Sequence, residues 1–401
     1  MQRWAMTTAL ALAVATAAAA QQAADAVDPE IAVDLPAAFD GLSDAAAAAW
    51  AARAQGRPVE AGRWMVAAQN PLAAEAGARV LREGGTAADA MVAVQAVLGL
   101  VEPQSSGLGG GAFLVWYDAA TGAVTTLDAR ETAPLAATPR LFQDDAGAPL
   151  PFWDAVVGGL AVGTPGTPAL MEAAHRRWGR ATWAGLFDDA IALAEEGFAV
   201  SPRLAGQIAD DAGRLTRFPE TAAYFFPEGE PLAAGDIRTN PDYAATLRAL
   251  AAEGARAFYS GPIAEDIVAA VRGVGRNPGL LSLADMALYR VVERPAVCTQ
   301  YRGAEVCGMG PPSSGAITVA QILGKLEHFD IAAMDPEAPE TWRLIGDATR
   351  LAFADRGRFI ADSDFVPVPV KGLTDPAYLA ERAGLLRRDD ALPEVPVGEP
   401  A

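Results

Sequence analysis

Residues 101–118 read VEPQSSGLGGGAFLVWYD, and what lies on either side of them sets the fold class. Upstream, Thr86-Ala-Ala-Asp89 forms a capping box that opens a helix over Ala90–Leu100. That helix is apolar on nearly every side, the pattern of a helix covered on all faces. Downstream, Ala112–Tyr117 and Ala123–Leu127 are β-prone runs around a glycine-bearing turn at 118–122, which predicts a hairpin. The glycines 107–111 therefore sit between a helix and a strand. A phosphate loop needs the opposite order, so nucleotide binding is excluded. Glycines here either let backbones approach closely or leave amides open to a ligand.

Working outward, Met65–Ala68 reads as a short strand, and Asn70-Pro71 caps a helix that Gly84-Gly85 ends. Helix starts are expected at Thr167-Pro168, Ser201-Pro202, Asn240-Pro241 and Ser282. A second hairpin spans 297–306, with helices over 316–327 and 341–356. Helices beside hairpins imply a layered α/β architecture.

Composition removes several kinds of chemistry. The chain has 401 residues, 51% hydrophobic, with a formal charge of −19, so it would repel nucleic acid and an anionic membrane surface. Histidine occurs only at His175 and His328, and cysteine only at Cys298 and Cys307. Neither a three-histidine nor a four-cysteine zinc site can be built, and no cofactor is expected. Both histidines lie at helix ends, where a cation complements the dipole. Lysine occurs twice, at Lys325 and Lys371, among 31 Lys and Arg, which makes a catalytic lysine a poor candidate. Residues 1–20 combine Arg3, a short apolar core and Ala18-Ala19-Ala20, the pattern of a cleaved export signal. Residues 21–60 read as a loosely ordered lead-in, with a surface helix after Ser43.

Three smaller features bear on chemistry. Arg130 ends the first hairpin, where its guanidinium either pairs with Asp128 or Glu131 or clamps an anionic ligand through two parallel hydrogen bonds. Gly310-Pro-Pro-Ser-Ser-Gly315 reads as a turn and a serine N-cap, with no histidine nearby to activate a serine. In Cys298–Cys307, a two-residue turn at Arg302-Gly303 places the cysteines on a non-hydrogen-bonded pair that a disulfide can bridge. Arg302 is a poor first residue for such a turn, and a bulge at Gly303 would shift the register by one.

Together the blocks QNPLAAEAGARVLREGGTAADA, VEPQSSGLGGG, RETAP, GMGPPSSG and DATRLAFADRGRF resemble successive blocks of the gamma-glutamyltransferase family, in order, over most of residues 63–380. The resemblance implies an N-terminal-nucleophile fold, a four-layer αββα sandwich of which this chain is the large-subunit half. It implies transfer of a gamma-glutamyl group from glutathione or a related amide to water or to an amino-acid or peptide acceptor. It assigns Arg130 to the alpha-carboxylate of that group. On this reading residues 61–390 form the large-subunit domain, and 391–401 are a linker. A nucleophilic threonine would follow Ala401 in a small subunit cut from the same precursor, leaving no catalytic residue in this chain. The mature protein would be periplasmic or secreted, free of the membrane. Asn70, Ala112 and Ala316 depart from the commonest family residues, which leaves substrate preference open. The rivals are a glutaryl-type amide acylase of the same fold and, should the chain stop at 401, a non-catalytic periplasmic binding or scaffold protein.

Overall fold

Ser43, Asn70, Thr86, Ser201, Asn240, Ser282 and Asp375 each open a helix by accepting a backbone N–H with the side chain. The structure, a computed structural model, describes residues 42–386 and 390–401. The export signal over 1–20 and the lead-in through residue 41 lie outside the described residues. The chain folds as two units, one comprising the residues through Ala112 and Arg130–Arg290, the other Phe113–Ala129 and Val291–Ala401.

In the first unit, Ser43 caps α1 (Asp44–Ala54) and Asn70 caps α2 (Pro71–Arg82) by accepting from Leu72 N at 3.0 Å. Thr86 and Asp89 form the reciprocal capping box of α3 (Ala87–Val101). No residue of 88–101 is exposed, because α2, α4 (Thr167–Trp178) and α5 (Asp188–Glu196) pack around this helix. Gly99 makes room for Tyr243 of α6 (Pro241–Glu253), whose hydroxyl donates to Ala96 O at 2.8 Å. Burial pushes the Asp89 carboxyl up, but N–H groups of Thr86, Arg180 and Ala181 outweigh it and hold the pKa below the usual range. His175 Nε2 lies 2.9 Å from Ala181 O and 3.6 Å from Asp89, beside the turn that follows α4.

Two local expectations change here. Residues 65–68 alternate between exposed and half-buried, as a strand would, yet they have no ladder partner among the described residues. A strand is defined by its neighbour, and this run lacks one. Thr167 is the first residue of α4 and not its cap; Gly166 holds the cap position, and the Thr167 hydroxyl donates to Gly110 O at 3.1 Å.

In the second unit, β1 (Ala112–Asp118, entering from the first unit), β2 (Ala123–Ala129) and β3 (Val292–Arg294) form a sheet in that order. β2 and β3 are antiparallel with Thr126 opposite Arg294. Arg294 locks the sheet edge through Asp128 and Asp364, both at 2.7 Å. β1 is one of the two outer strands, and its Val115 and Tyr117 are exposed.

β4 (Val297–Tyr301) and β5 (Ala304–Gly308) pair with Cys298 opposite Cys307, and the two are disulfide-bonded with Cα atoms 4.0 Å apart. Arg302 and Gly303 both take positive φ, 50° and 82°, so the two-residue turn forms without a bulge. Arg302 is held in that conformation by donating to Phe329 O at 3.1 Å and by lying over the Tyr301 ring. We expect the exported protein, denatured without reductant, to titrate no free thiol. Two titratable thiols would refute the bridge.

The longer helices of this unit are α8 (Gly315–Leu326), α9 (Pro339–Phe359) and α10 (Pro376–Ala383). Lys325 of α8 is fully buried and its Nζ has no hydrogen-bond partner among the described residues. Burial pulls its pKa down to about 7, against the pull of Asp355 and with Arg382 adding to the fall. The folded pKa of this base is thus depressed. Between pH 7 and about 10 the unfolded chain holds a proton that the folded chain lacks, so stability rises with pH across that window. Lys325→Met should flatten the rise and add about 1–4 kcal/mol near neutral pH. Urea unfolding near pH 7 and about pH 9.5 checks this, and an unchanged slope in the variant would count against it.

Candidate functional site

The RETAP block leaves β2 at Arg130 and is pinned at each step. Arg130 O accepts from the Tyr289 hydroxyl at 2.9 Å. Tyr289 stacks on Tyr259, centroids 5.6 Å apart, and the Tyr259 hydroxyl donates to Pro165 O at 2.8 Å. Burial, the largest cause, pushes the Tyr259 phenol well above its ordinary pKa and keeps it a neutral donor. Thr132 and Thr164 exchange backbone hydrogen bonds at 3.3 and 2.8 Å. Leu135 N donates to Asp285 at 2.7 Å, and Asp285 is itself fixed by the capping box with Ser282 that opens α7 (Leu283–Leu288). The backbone under Arg130 is therefore rigid, while its side chain is exposed. A guanidinium on such a mount suits a carboxylate ligand.

The two carboxylates beside Arg130 in sequence also bind other parts of the chain. Asp128 accepts from Arg294, and Glu131 Oε1 accepts from Gly111 N at 2.7 Å. The Glu131 contact ties the RETAP block to the glycine loop. Gly110 O on the same loop accepts from Gly166 N, Thr167 N and the Thr167 hydroxyl at 2.9, 3.1 and 3.1 Å. Gly163 passes so close to Glu131 and Thr132 that a Cβ there would lie 3.0 Å from each.

Upstream, the loop is anchored by Glu102. This buried carboxylate accepts from Asn70, Gln104 and Arg203 at 3.2, 2.6 and 2.6 Å, and its carbonyl caps Ser105 and Ser106. The loop glycines themselves are not crowded. A Cβ on Gly107, Gly109 or Gly110 would meet nothing closer than 3.7 Å. Close packing within the chain thus does not account for these three glycines. They border a cleft of about 590 Å³ with Gln95, Ser106, Glu131 and Thr167.

PPSSG lies in the second unit, ahead of α8. Ser314 stands at the cap position of α8, but its side chain caps nothing and instead accepts from Arg356 Nε at 2.9 Å. Ser313 Oγ accepts from Gly315 N at 3.2 Å. Among the described residues, Cys298, Glu305 and Cys307 are the group close enough to gather round an ion, and the disulfide uses both sulfurs.

Sequence reasoning singled out Arg130, Glu131 and the glycines but missed Thr167, Tyr259 and Tyr289 as their supports. A phenol 159 residues from the carbonyl it holds leaves no local signal.

The sequence profile of the gamma-glutamyltranspeptidase family matches residues 73–400. The chain is 39% identical to the glutathione hydrolase proenzyme of Bacillus subtilis over 338 residues, covering 84% of this chain and 57% of that protein. It is 38% identical to the acylase ACY 1 proenzyme of Pseudomonas sp. (strain SE83) over 340 residues, covering 84% and 60%. The chain thus spans little more than half the length of these relatives. The crystal structure of Helicobacter pylori gamma-glutamyltranspeptidase superposes with a TM-score of 0.80 at 37% identity, over 84% of this chain and 95% of that one. The α/β N-terminal-nucleophile fold implied by the motif blocks is the fold this chain shares with that structure. Ordered motif blocks, an arginine on a pinned strand end and matches at this level lead to one conclusion: the chain belongs to the gamma-glutamyltranspeptidase family.

Proposed function

We propose that this chain is the clamp-bearing half of an enzyme that transfers gamma-glutamyl groups from glutathione and related amides to water or to amino-acid and peptide acceptors. The observation that carries the reading is Arg130, exposed on a backbone pinned by Tyr289, Thr164 and Glu131, within a RETAP block. Its guanidinium holds the alpha-carboxylate of the donor. A threonine opening a second subunit, cut from the same precursor beyond residue 401, attacks the gamma-carbonyl. Its oxygen forms an ester with that carbonyl as the C–N bond breaks and the amine leaves with the hydroxyl proton; water or an acceptor amine then attacks the ester carbonyl, and the threonine oxygen leaves, taking back a proton. No metal or cofactor enters this chemistry.

The split is supported by coverage, since the chain spans 57% of a relative named a proenzyme but 95% of a solved transpeptidase chain. Further support comes from the run 65–68, which has no ladder partner among the described residues, the edge strand β1 and the uncrowded Gly107, Gly109 and Gly110, all of which suit an occupant from outside this chain. The export-signal pattern over 1–20 supports a location in the periplasm or outside the cell. No helix of the described residues is long and apolar enough to cross a membrane.

A second reading has its own observation. An acylase proenzyme is 38% identical, nearly as similar as the glutathione hydrolase proenzyme. In an acylase of this fold Arg130 would meet the free acid of a glutaryl amide, which has no alpha-amino group. Turnover of a gamma-glutamyl anilide and a glutaryl anilide by the processed enzyme separates the two. We expect the gamma-glutamyl compound to be preferred, and preference for the glutaryl compound would overturn the assignment.

A further inference from the structure

The segment 392–401 is threaded through buried polar groups of the second unit. Leu392 N donates to Asp347 at 3.0 Å, and Leu392 O accepts from Arg350 at 2.9 Å. Farther on, Gly398 N donates to Asp355 Oδ1 at 2.9 Å, and Pro396 O accepts from Arg382 at 2.6 Å. Asp355 is fully buried and has three further donors: Tyr378 at 2.7 Å, Gln321 at 3.1 Å and Arg382 at 3.2 Å. Donors from helices α8 and α10 thus converge on Asp355 of α9, which in turn holds one backbone amide of an irregular segment.

We infer that the Asp355–Tyr378–Arg382 cluster is a register lock that seats Gly398 and so positions the chain beyond residue 401 for cleavage. The inference rests on the proposed precursor. Its force lies in what slippage would do. A Cβ at position 398 would run into the Tyr378 hydroxyl and ring. A slip of one residue either way brings Val397 or Glu399, both with a Cβ, into that slot. A slip of two brings Pro396 or Pro400, neither of which has an N–H for Asp355. Gly398 alone meets both conditions. The end of the segment is gauged the same way, since a Cβ on Gly372 would strike the Ala401 backbone. Asp347, on the same helix as Asp355, holds Leu392 and keeps the segment taut upstream. Asp355, Tyr378 and Arg382 are positioning residues, because they act through the backbone they hold and touch no reacting atom.

The test uses the full-length precursor and follows the appearance of the smaller fragment and its new N-terminus. Gly398→Ala is expected to slow cleavage at least tenfold, to shift the cut, or to do both, while the melting profile stays close to that of the unmodified protein. Asp355→Asn should act in the same direction. If that buried variant yields no soluble protein, Gly398→Ala decides alone. Hydrogen exchange gives an independent readout: amides of 392–398 should be protected in the unmodified protein and should lose protection in Gly398→Ala. An unmodified precursor that is never cleaved would sink the proposed function, and the exchange comparison would then judge the lock. Cleavage by Gly398→Ala at the unmodified rate, at the same bond and with unchanged exchange, overturns the lock and leaves the proposed function standing.

Discussion

Arg130→Ala in the processed enzyme should lower kcat/KM for gamma-glutamyl donors more than tenfold while leaving self-cleavage intact. Truncating one partner of a hydrogen-bonded charge pair costs about 2–5 kcal/mol, and each 1.4 kcal/mol is a factor of about ten. The substitution is clean because the backbone at this position is held by groups other than its own side chain. Tyr289 grips the carbonyl, Thr132 pairs with Thr164, and Glu131 binds the Gly111 amide. Lysine at this position should recover only part of the loss, since a point charge cannot reproduce the guanidinium fork. The measurement is steady-state turnover of a gamma-glutamyl anilide, with fragment analysis to show that processing has occurred. An unchanged KM and kcat would remove Arg130 from the site.

The second large effect concerns the rest of the proposed enzyme. Residues 1–401 produced alone should show no transfer or hydrolysis and should aggregate. Apolar side chains at 48% and 64% exposure, Val115 and Tyr117, lie on the outer strand β1. Met65, 53% exposed, belongs to an extended run with no ladder partner among the described residues. Uncovered edges of this kind pair with other chains. Helix α3 is mostly buried, with Met91, Val94, Gln95, Leu98 and Gly99 half-buried, so it exposes less apolar surface than β1. Producing the chain together with the downstream coding region should restore solubility and yield two tightly held fragments. N-terminal sequencing should find threonine at the start of the smaller one. A first residue other than Thr, Ser or Cys, or activity in residues 1–401 alone, would defeat the N-terminal-nucleophile reading.

Much of this molecule could be read from local chemistry. Asn70, Ser201, Asn240 and the box of Thr86 and Asp89 cap the helices they were expected to cap, because an N-cap satisfies amides only two or three residues away. Cys298 meets Cys307 because a two-residue turn sets hairpin register, which is again local. The order of the motif blocks carried the family.

What escaped the sequence depends on neighbours distant along the chain. A threonine before a proline suits a cap, yet the Thr167 hydroxyl reaches Gly110, 57 residues away. Ser314 gives its oxygen to Arg356 and not to its own helix. The run 65–68 has a strand's alternation but no strand beside it within the described residues. Lys325 looks like an ordinary helix lysine and is fully buried, and Gly398 looks like a linker glycine and fits a slot beside Tyr378. A polar side chain bonds whichever donor or acceptor the fold brings within about 3 Å. Spacing along the chain names the candidates, and only the packed tertiary structure selects among them.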